Sequence, residues 1–209
     1  MLTLPRLGRW LAPLALLVGI TAAAAQSAKT EVAIFAGGCF WCVEEAFEKV
    51  PGVLKAVSGY TGGTVANPTY AQVGTHRTGH AEAVEVTYDP AKVTYPQLVD
   101  WYWRNIDPFD GVGQFCDKGS PYRAVIFYKG EAQKRVAEET REALAKKFNK
   151  SIATKIEAAG PFYPAEAYHQ DYYKTSTFRY QYYKHGCGRP QRLEQIWGKP
   201  TPPPNAPTQ

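Results

Sequence analysis

Residues 30–52 read TEVAIFAGGCFWCVEEAFEKVPG, and the fold turns on how this stretch is read. Thr30 to Ala36 is a short β-rich run, which predicts a strand. Gly37-Gly38 then lets the backbone turn tightly. Cys39 opens a helical pattern that runs to Val50, where Pro51-Gly52 stops it. The unit is a strand, a glycine turn and a helix, and it needs partners on both sides.

Downstream segments supply them. Val53 to Tyr60 is β-like and enters a turn at Thr61-Gly62-Gly63. Residues 64–80 are polar and rich in Gly, Thr and His, which predicts a loop. Ala81 to Tyr88 alternates with one slip: Ala83, Val84, Val86 and Tyr88 stand against Glu82, Glu85 and Thr87. Thr94 caps a helix to about Asn105, with Tyr95, Leu98, Val99, Tyr102 and Ile106 at helical spacing. Residues 107–121 form a second long loop. Tyr122 to Tyr128 predicts a strand, Glu131 to Asn149 a charged helix, and Ala153 to Ala158 a last strand. The remainder is aromatic, turn-rich and irregular. The order β-α-β-β-α-β-α-β begins with a split β-α-β unit, so helices should cover one face of an antiparallel or mixed sheet. Loops longer than about 12–15 residues are uncommon without a task, so 61–80 and 107–121 are candidate site loops.

Composition narrows the class. The chain has 209 residues, 44% hydrophobic and 21% charged, which fits one globular domain and excludes a disordered chain. Residues 1–25 read as a secretory signal. Arg6 and Arg9 are basic, Leu11 to Ile20 is apolar apart from Pro13 and Gly19, and Ala23-Ala24-Ala25 precedes Gln26. That run is shorter than the ~20 residues of a spanning helix, so cleavage and export, with a bacterial periplasm as destination, are expected. The formal charge of +5 falls to +3 without Arg6 and Arg9, too mild a balance for nucleic acid. The only methionine is Met1, so the cleaved chain would have none. Residues 26–198 are the expected catalytic domain. Residues 199–209, with Pro200, Pro202-Pro203-Pro204 and Pro207, are expected to be a disordered tail.

Cys39-Phe40-Trp41-Cys42 carries the chemistry. A cysteine at the first turn of a helix faces unpaired N–H groups and the positive end of the dipole, which favour a thiolate. Cys42 lies one turn on, within disulfide reach. A buried pair or a structural disulfide would use the same spacing. The strand and two glycines in front favour a reactive thiol.

Gly37-Gly38-Cys39-Phe40-Trp41 closely resembles the active-site signature of the A-type peptide methionine sulfoxide reductases. Four further blocks follow in that family's order. They are Ser58-Gly59-Tyr60-Thr61-Gly62-Gly63 with Asn67-Pro68-Thr69-Tyr70; Gly79 to Val84; Asp117 to Arg123; and Phe162 to Glu166 with Tyr168 to Tyr172. The resemblance covers roughly residues 31–185 and implies a two-layer α/β (α+β) sandwich with a ferredoxin-like β-α-β-β-α-β core.

The resemblance also implies the site. Cys39 attacks the sulfoxide sulfur and becomes a sulfenic acid. Glu82 is a neutral acid that donates to the sulfoxide oxygen, Tyr70 and Tyr122 are phenols that also donate, and Asp117 is a supporting acid. Phe40 and Trp41 form the apolar wall for the S-methyl group. Read on spacing alone, Glu82 is a solvated charge at a strand start, and His169 a packed side chain and not a base. A second thiol must clear the sulfenic acid, and an external dithiol such as thioredoxin must open the resulting disulfide. Many family members have glycine at the position of Cys42 and a resolving cysteine in the tail. This chain has Cys42, Cys116 and Cys187 together, so the wiring stays open between Cys42 and Cys187 as resolving thiol. We favour Cys42, with Cys116 and Cys187 relaying the disulfide or locking the tail. The resemblance implies the S epimer as substrate, and no organic cofactor or metal. A monomer is expected. The competing readings are a general thiol–disulfide oxidoreductase, which has no use for Glu82 and two tyrosines, and a zinc module on the four cysteines, which lacks a second C-x-x-C.

Overall fold

The computed structural model describes residues 29–207. The expected signal segment 1–25, and with it Met1, lies outside the described residues. In chain order the core elements are β1 (Glu31–Gly37), α1 (Phe40–Glu48), β2 (Val53–Thr61), α2 (Tyr70–Gly74), β3 (Ala81–Tyr88) and α3 (Tyr95–Arg104). They continue with β4 (Gly113–Gln114), β5 (Asp117–Lys118), β6 (Ala124–Tyr128), α4 (Gly130–Phe148), β7 (Lys155–Ala158) and β8 (Tyr163–Pro164). Three helices end the chain: α5 (Tyr172–Thr175), α6 (Thr177–Gly186) and α7 (Arg189–Trp197).

The main sheet runs β7-β6-β1-β3-β2-β8. Its centre, β6-β1-β3-β2, is antiparallel throughout, the arrangement of a ferredoxin-like split β-α-β unit. β7 adds in parallel beside β6, as a crossover through α4 requires. The result is the two-layer α/β sandwich expected, with a mixed sheet.

Period-two alternation sets which residues meet the helices. Ala33 and Phe35 of β1, Val84, Val86 and Tyr88 of β3, and Ala124 and Ile126 of β6 face the helical layer. Phe40, Val43 and Phe47 of α1 and Leu98, Val99 and Tyr102 of α3 pack on them. Phe35 is stacked on Phe47 at 4.7 Å and on Tyr102 at 5.1 Å between ring centres. The opposite face carries mainly small and aliphatic residues, including Ile34, Ala36, Ala81 and Ala83, together with Phe127, and Phe162 packs against them.

Three elements differ from the sequence reading. The expected loop 64–80 contains α2, started by Thr69 and Gln72 in a reciprocal capping box. The strand expected from Tyr122 begins at Ala124, because Ser120–Tyr122 is a turn of 3₁₀ helix. The C-terminal extension, expected to be irregular, carries α6 and α7. Residues of the tail also touch the body: Asn205 Nδ2 donates to Lys92 O at 2.8 Å, and Gln97 Nε2 donates to Asn205 Oδ1 at 3.3 Å.

Candidate active site

Cys39 is the N-cap residue of α1, placed there by the turn at Gly37-Gly38. Gly38 has φ +81, and a Cβ on it would lie 2.6 Å from Gln114 Cβ. Only glycine meets both demands. The buried Arg189 secures this turn: its guanidinium donates to Gly37 O and Asn105 O, each at 2.8 Å.

Glu82 explains the slip in the alternation of β3. It sits opposite Tyr60 and shares the helix-facing register of Val84, Val86 and Tyr88, so the strand points a carboxyl into the core. It is 3% exposed. Its Oε2 accepts the backbone N–H of Phe40, the first residue of α1, at 3.0 Å. Burial pushes its pKa up to about 8 against the opposing effect of that hydrogen bond, and the charge of Asp117 adds to the rise. Glu82 is therefore mainly a neutral acid at pH 7, with one oxygen held and the other available.

A small pocket brings together Cys39, Phe40, Trp41, Tyr70, Glu82, Asp117 and Tyr122. Every residue expected for the nucleophile, the donors and the methyl wall lines this one pocket. Tyr70 comes from the start of α2, which is tied down by Glu166: its Oε1 accepts Tyr70 N–H at 2.8 Å and its Oε2 accepts Tyr60 O–H at 2.9 Å. Burial, then the charge of Glu82, raises the Tyr70 phenol to about 12 and the Tyr122 phenol further, so both stay protonated donors. Asp117 stands on the β4–β5 hairpin and accepts the Tyr183 O–H. Burial raises its pKa. Trp41 is stacked on Tyr172 at 3.9 Å, and its Nε1–H donates to His169 Nδ1 at 3.1 Å. His169 is thus a packed, hydrogen-bonded side chain, and burial lowers its pKa.

The cysteines fall into two pairs. Cys116 and Cys187 form a disulfide, with Cα atoms 4.9 Å apart. Cys39 and Cys42 are free, buried thiols packed beside Tyr180. Among the described residues the four sulfurs do not converge on a single metal position. The helix-end argument for a lowered Cys39 pKa does not hold here. Burial pushes the Cys39 thiol well up, and the neighbouring Cys42 adds to this. The neighbouring Cys39 in turn brings Cys42 down to about 6, against burial and with help from the charges of Arg189 and Lys184. The two thiols interact strongly, so they titrate as a pair.

A family model described as "Peptide methionine sulfoxide reductase" matches residues 31–201. The chain belongs to the peptide methionine sulfoxide reductase family. The peptide methionine sulfoxide reductase MsrA of Bacillus licheniformis is 51% identical over 173 residues, covering 82% of this chain and 96% of its own. The MsrA of Ligilactobacillus salivarius is 53% identical over 169 residues, covering 80% and 98%. Among solved structures, Mxr1 of Saccharomyces cerevisiae in reduced form aligns with a TM-score of 0.68 at 31% identity, over 73% of this chain and 88% of that one.

This family member also has site residues that the sequence reading missed. Tyr183 lines the pocket and holds Asp117, Tyr180 donates to Glu45 beside Cys42, and Arg189 supplies a buried charge. Their signal was the density of tyrosines over residues 172–183, where Tyr180 and Tyr183 stand three apart and so share one helix face.

Proposed function

We propose that the chain reduces the S epimer of methionine sulfoxide, free or in proteins, with Cys39 as nucleophile. As Cys39 attacks the sulfur, its proton passes to the neighbouring Cys42, whose lowered pKa makes it a base at pH 7. The sulfoxide oxygen gains negative charge, and Glu82, Tyr70 and Tyr122 donate hydrogen bonds to it. Glu82 gives up its proton, methionine leaves, and Cys39 is left as a sulfenic acid. Phe40 and Trp41 hold the S-methyl group, and Asp117, oriented by Tyr183, supports the polar side of the pocket. The observation that carries this reading is Glu82: a buried carboxyl, kept neutral, in the same small pocket as a buried thiol.

We further propose that Cys42 resolves the sulfenic acid. Its sulfur attacks Cys39, water leaves, and a Cys39–Cys42 disulfide forms. The pairing of Cys116 with Cys187 supports this, because it leaves Cys42 as the free thiol beside Cys39. A dithiol protein of the thioredoxin type fits as external reductant. An exported, signal-bearing chain is also part of the proposal, and N-terminal sequencing of the secreted form tests it.

The discriminating experiment is turnover of the two sulfoxide epimers, with Cys39→Ser as control. Activity confined to the S epimer and abolished in Cys39→Ser is expected. Activity on the R epimer alone, or retained without Cys39, contradicts the proposal.

A further inference from the structure

The two cysteines of the pair line different spaces. Cys39 lines the sulfoxide pocket, and Cys42 lines a separate cavity of about 410 Å³ that shares no lining residue with it. This volume falls in the range of small-molecule sites, about 300–1,000 Å³. The cavity lies among α1, α3, α6, α7 and residues Gly198–Pro203.

Its walls have a definite character. Trp101, Leu193 and Trp197 are its largest apolar side chains. Both indole N–H groups are already used, Trp101 on Ala46 O at 2.9 Å and Trp197 on Ile106 O at 3.0 Å, so the rings present faces and not donors. Lys49, Arg104, Lys184, Arg189 and Lys199 contribute five positive charges, against two negative ones from Glu45 and Glu194. Arg104 is paired with Asp100 at 3.0 Å, and Glu45 is shared by Lys49 and Lys184, yet the sign of the excess stays positive. An anion entering a cleft of this sign is drawn in and held.

We propose that this cavity is a binding site for an anionic low-molecular-weight thiol, which reduces the enzyme from the Cys42 side while the sulfoxide pocket stays separate. The inference rests on the reading that Cys42 resolves Cys39. The bound thiolate attacks the Cys42 sulfur and forms a mixed disulfide there, and Cys39 leaves as a thiolate. A second thiolate attacks the sulfur of the bound thiol. A small-molecule disulfide departs, and Cys42 is restored as a thiolate. Two thiols are oxidised, one protein disulfide is reduced, and two electrons move. Cys39 is thereby regenerated at its own pocket without a reductant passing through it.

The test uses the full chain, oxidised with one equivalent of methionine sulfoxide. Peptide mapping comes first. A Cys39–Cys187 bond in place of Cys39–Cys42 defeats the underlying wiring, and the cavity proposal with it. With Cys39–Cys42 present, its reduction is followed with 2-mercaptoethanesulfonate and with neutral 2-mercaptoethanol at equal thiolate concentration. We expect the anionic thiol to be faster by about tenfold or more. Arg104→Glu with Lys199→Glu should remove that preference and leave the rate of disulfide formation from methionine sulfoxide unchanged. Leu193→Trp, which fills the cavity, should slow both thiols. Equal rates for the two thiols in the wild type, or a preference that survives the charge reversal, overturns the proposal even though the wiring stands.

Discussion

Glu82 concentrates the chemistry into one register choice on β3. The strand could have placed an alanine or valine at this core-facing position, and its protonated carboxyl is stabilised there by burial. Glu82→Gln keeps an acceptor for the Phe40 N–H but loses the proton to give. We expect kcat/KM to fall about 10²–10³-fold, measured with the S epimer at pH 7. In the wild type, activity should decline as pH rises through about 8, where Glu82 ionises. The stability sign is the reverse of the usual carboxylate. The folded pKa lies above the unfolded one, so the folded chain binds the extra proton and stability falls as pH rises from about 4.5 to about 8. Glu82→Gln should therefore be more stable than the wild type at pH 8, by a few kcal/mol in denaturant unfolding. This residue was only half legible. The alternation showed a slip at Glu82, but spacing alone favoured a solvated charge, because the direction of a strand's end depends on pairing with β1 and β2.

Two elements carry the site, and each has its own test. The turn from β1 into α1 depends on Gly38, with its positive φ and a neighbour at 2.6 Å from any added Cβ. Gly38→Ala should lower the urea midpoint by an amount equivalent to about 1–3 kcal/mol and displace Cys39 from Glu82, so activity falls with stability. The Cys116–Cys187 disulfide joins the β4–β5 hairpin, which bears Asp117, to the end of α6, which bears Tyr183, across 71 residues of sequence. Cys116→Ser with Cys187→Ser should cost about 2–4 kcal/mol in thermal or denaturant unfolding and still form Cys39–Cys42 on oxidation. Long periodic elements were readable in advance: β1, α1, β3, α3 and α4 all stand within a few residues of expectation. The short and aromatic ones were not. α2 has five residues, too few to show a period, although Thr69 and Gln72 already spelled a capping box. α6 carries tyrosines and cations on both sides and exposes Phe178 and Tyr182, so no apolar stripe marks it as a helix.

At the scale of the molecule, the sheet supplies a rigid floor and the C-terminal forty or so residues close the site from above. Gln170 bonds the backbone of Ser58 in both directions, Glu166 holds Tyr60 and Tyr70, Lys184 and Tyr180 meet Glu45, and Arg189 reaches Gly37. The order of strands and helices was legible because a split β-α-β unit leaves few ways to bury its helices. This return of the chain was not, since it rests on polar side chains far apart in sequence. It is what gathers the Cys39 thiol, a neutral acid and two phenols into one pocket, and leaves Cys42 as the free thiol beside Cys39. The most direct measurement is a single turnover: one equivalent of methionine S-sulfoxide added to the reduced enzyme, with methionine quantified and the new disulfide located by mass spectrometry. One methionine per chain and a Cys39–Cys42 disulfide are expected, with Cys116–Cys187 unchanged. No methionine, or methionine formed while Cys39 remains a free thiol, would contradict Cys39 as the nucleophile.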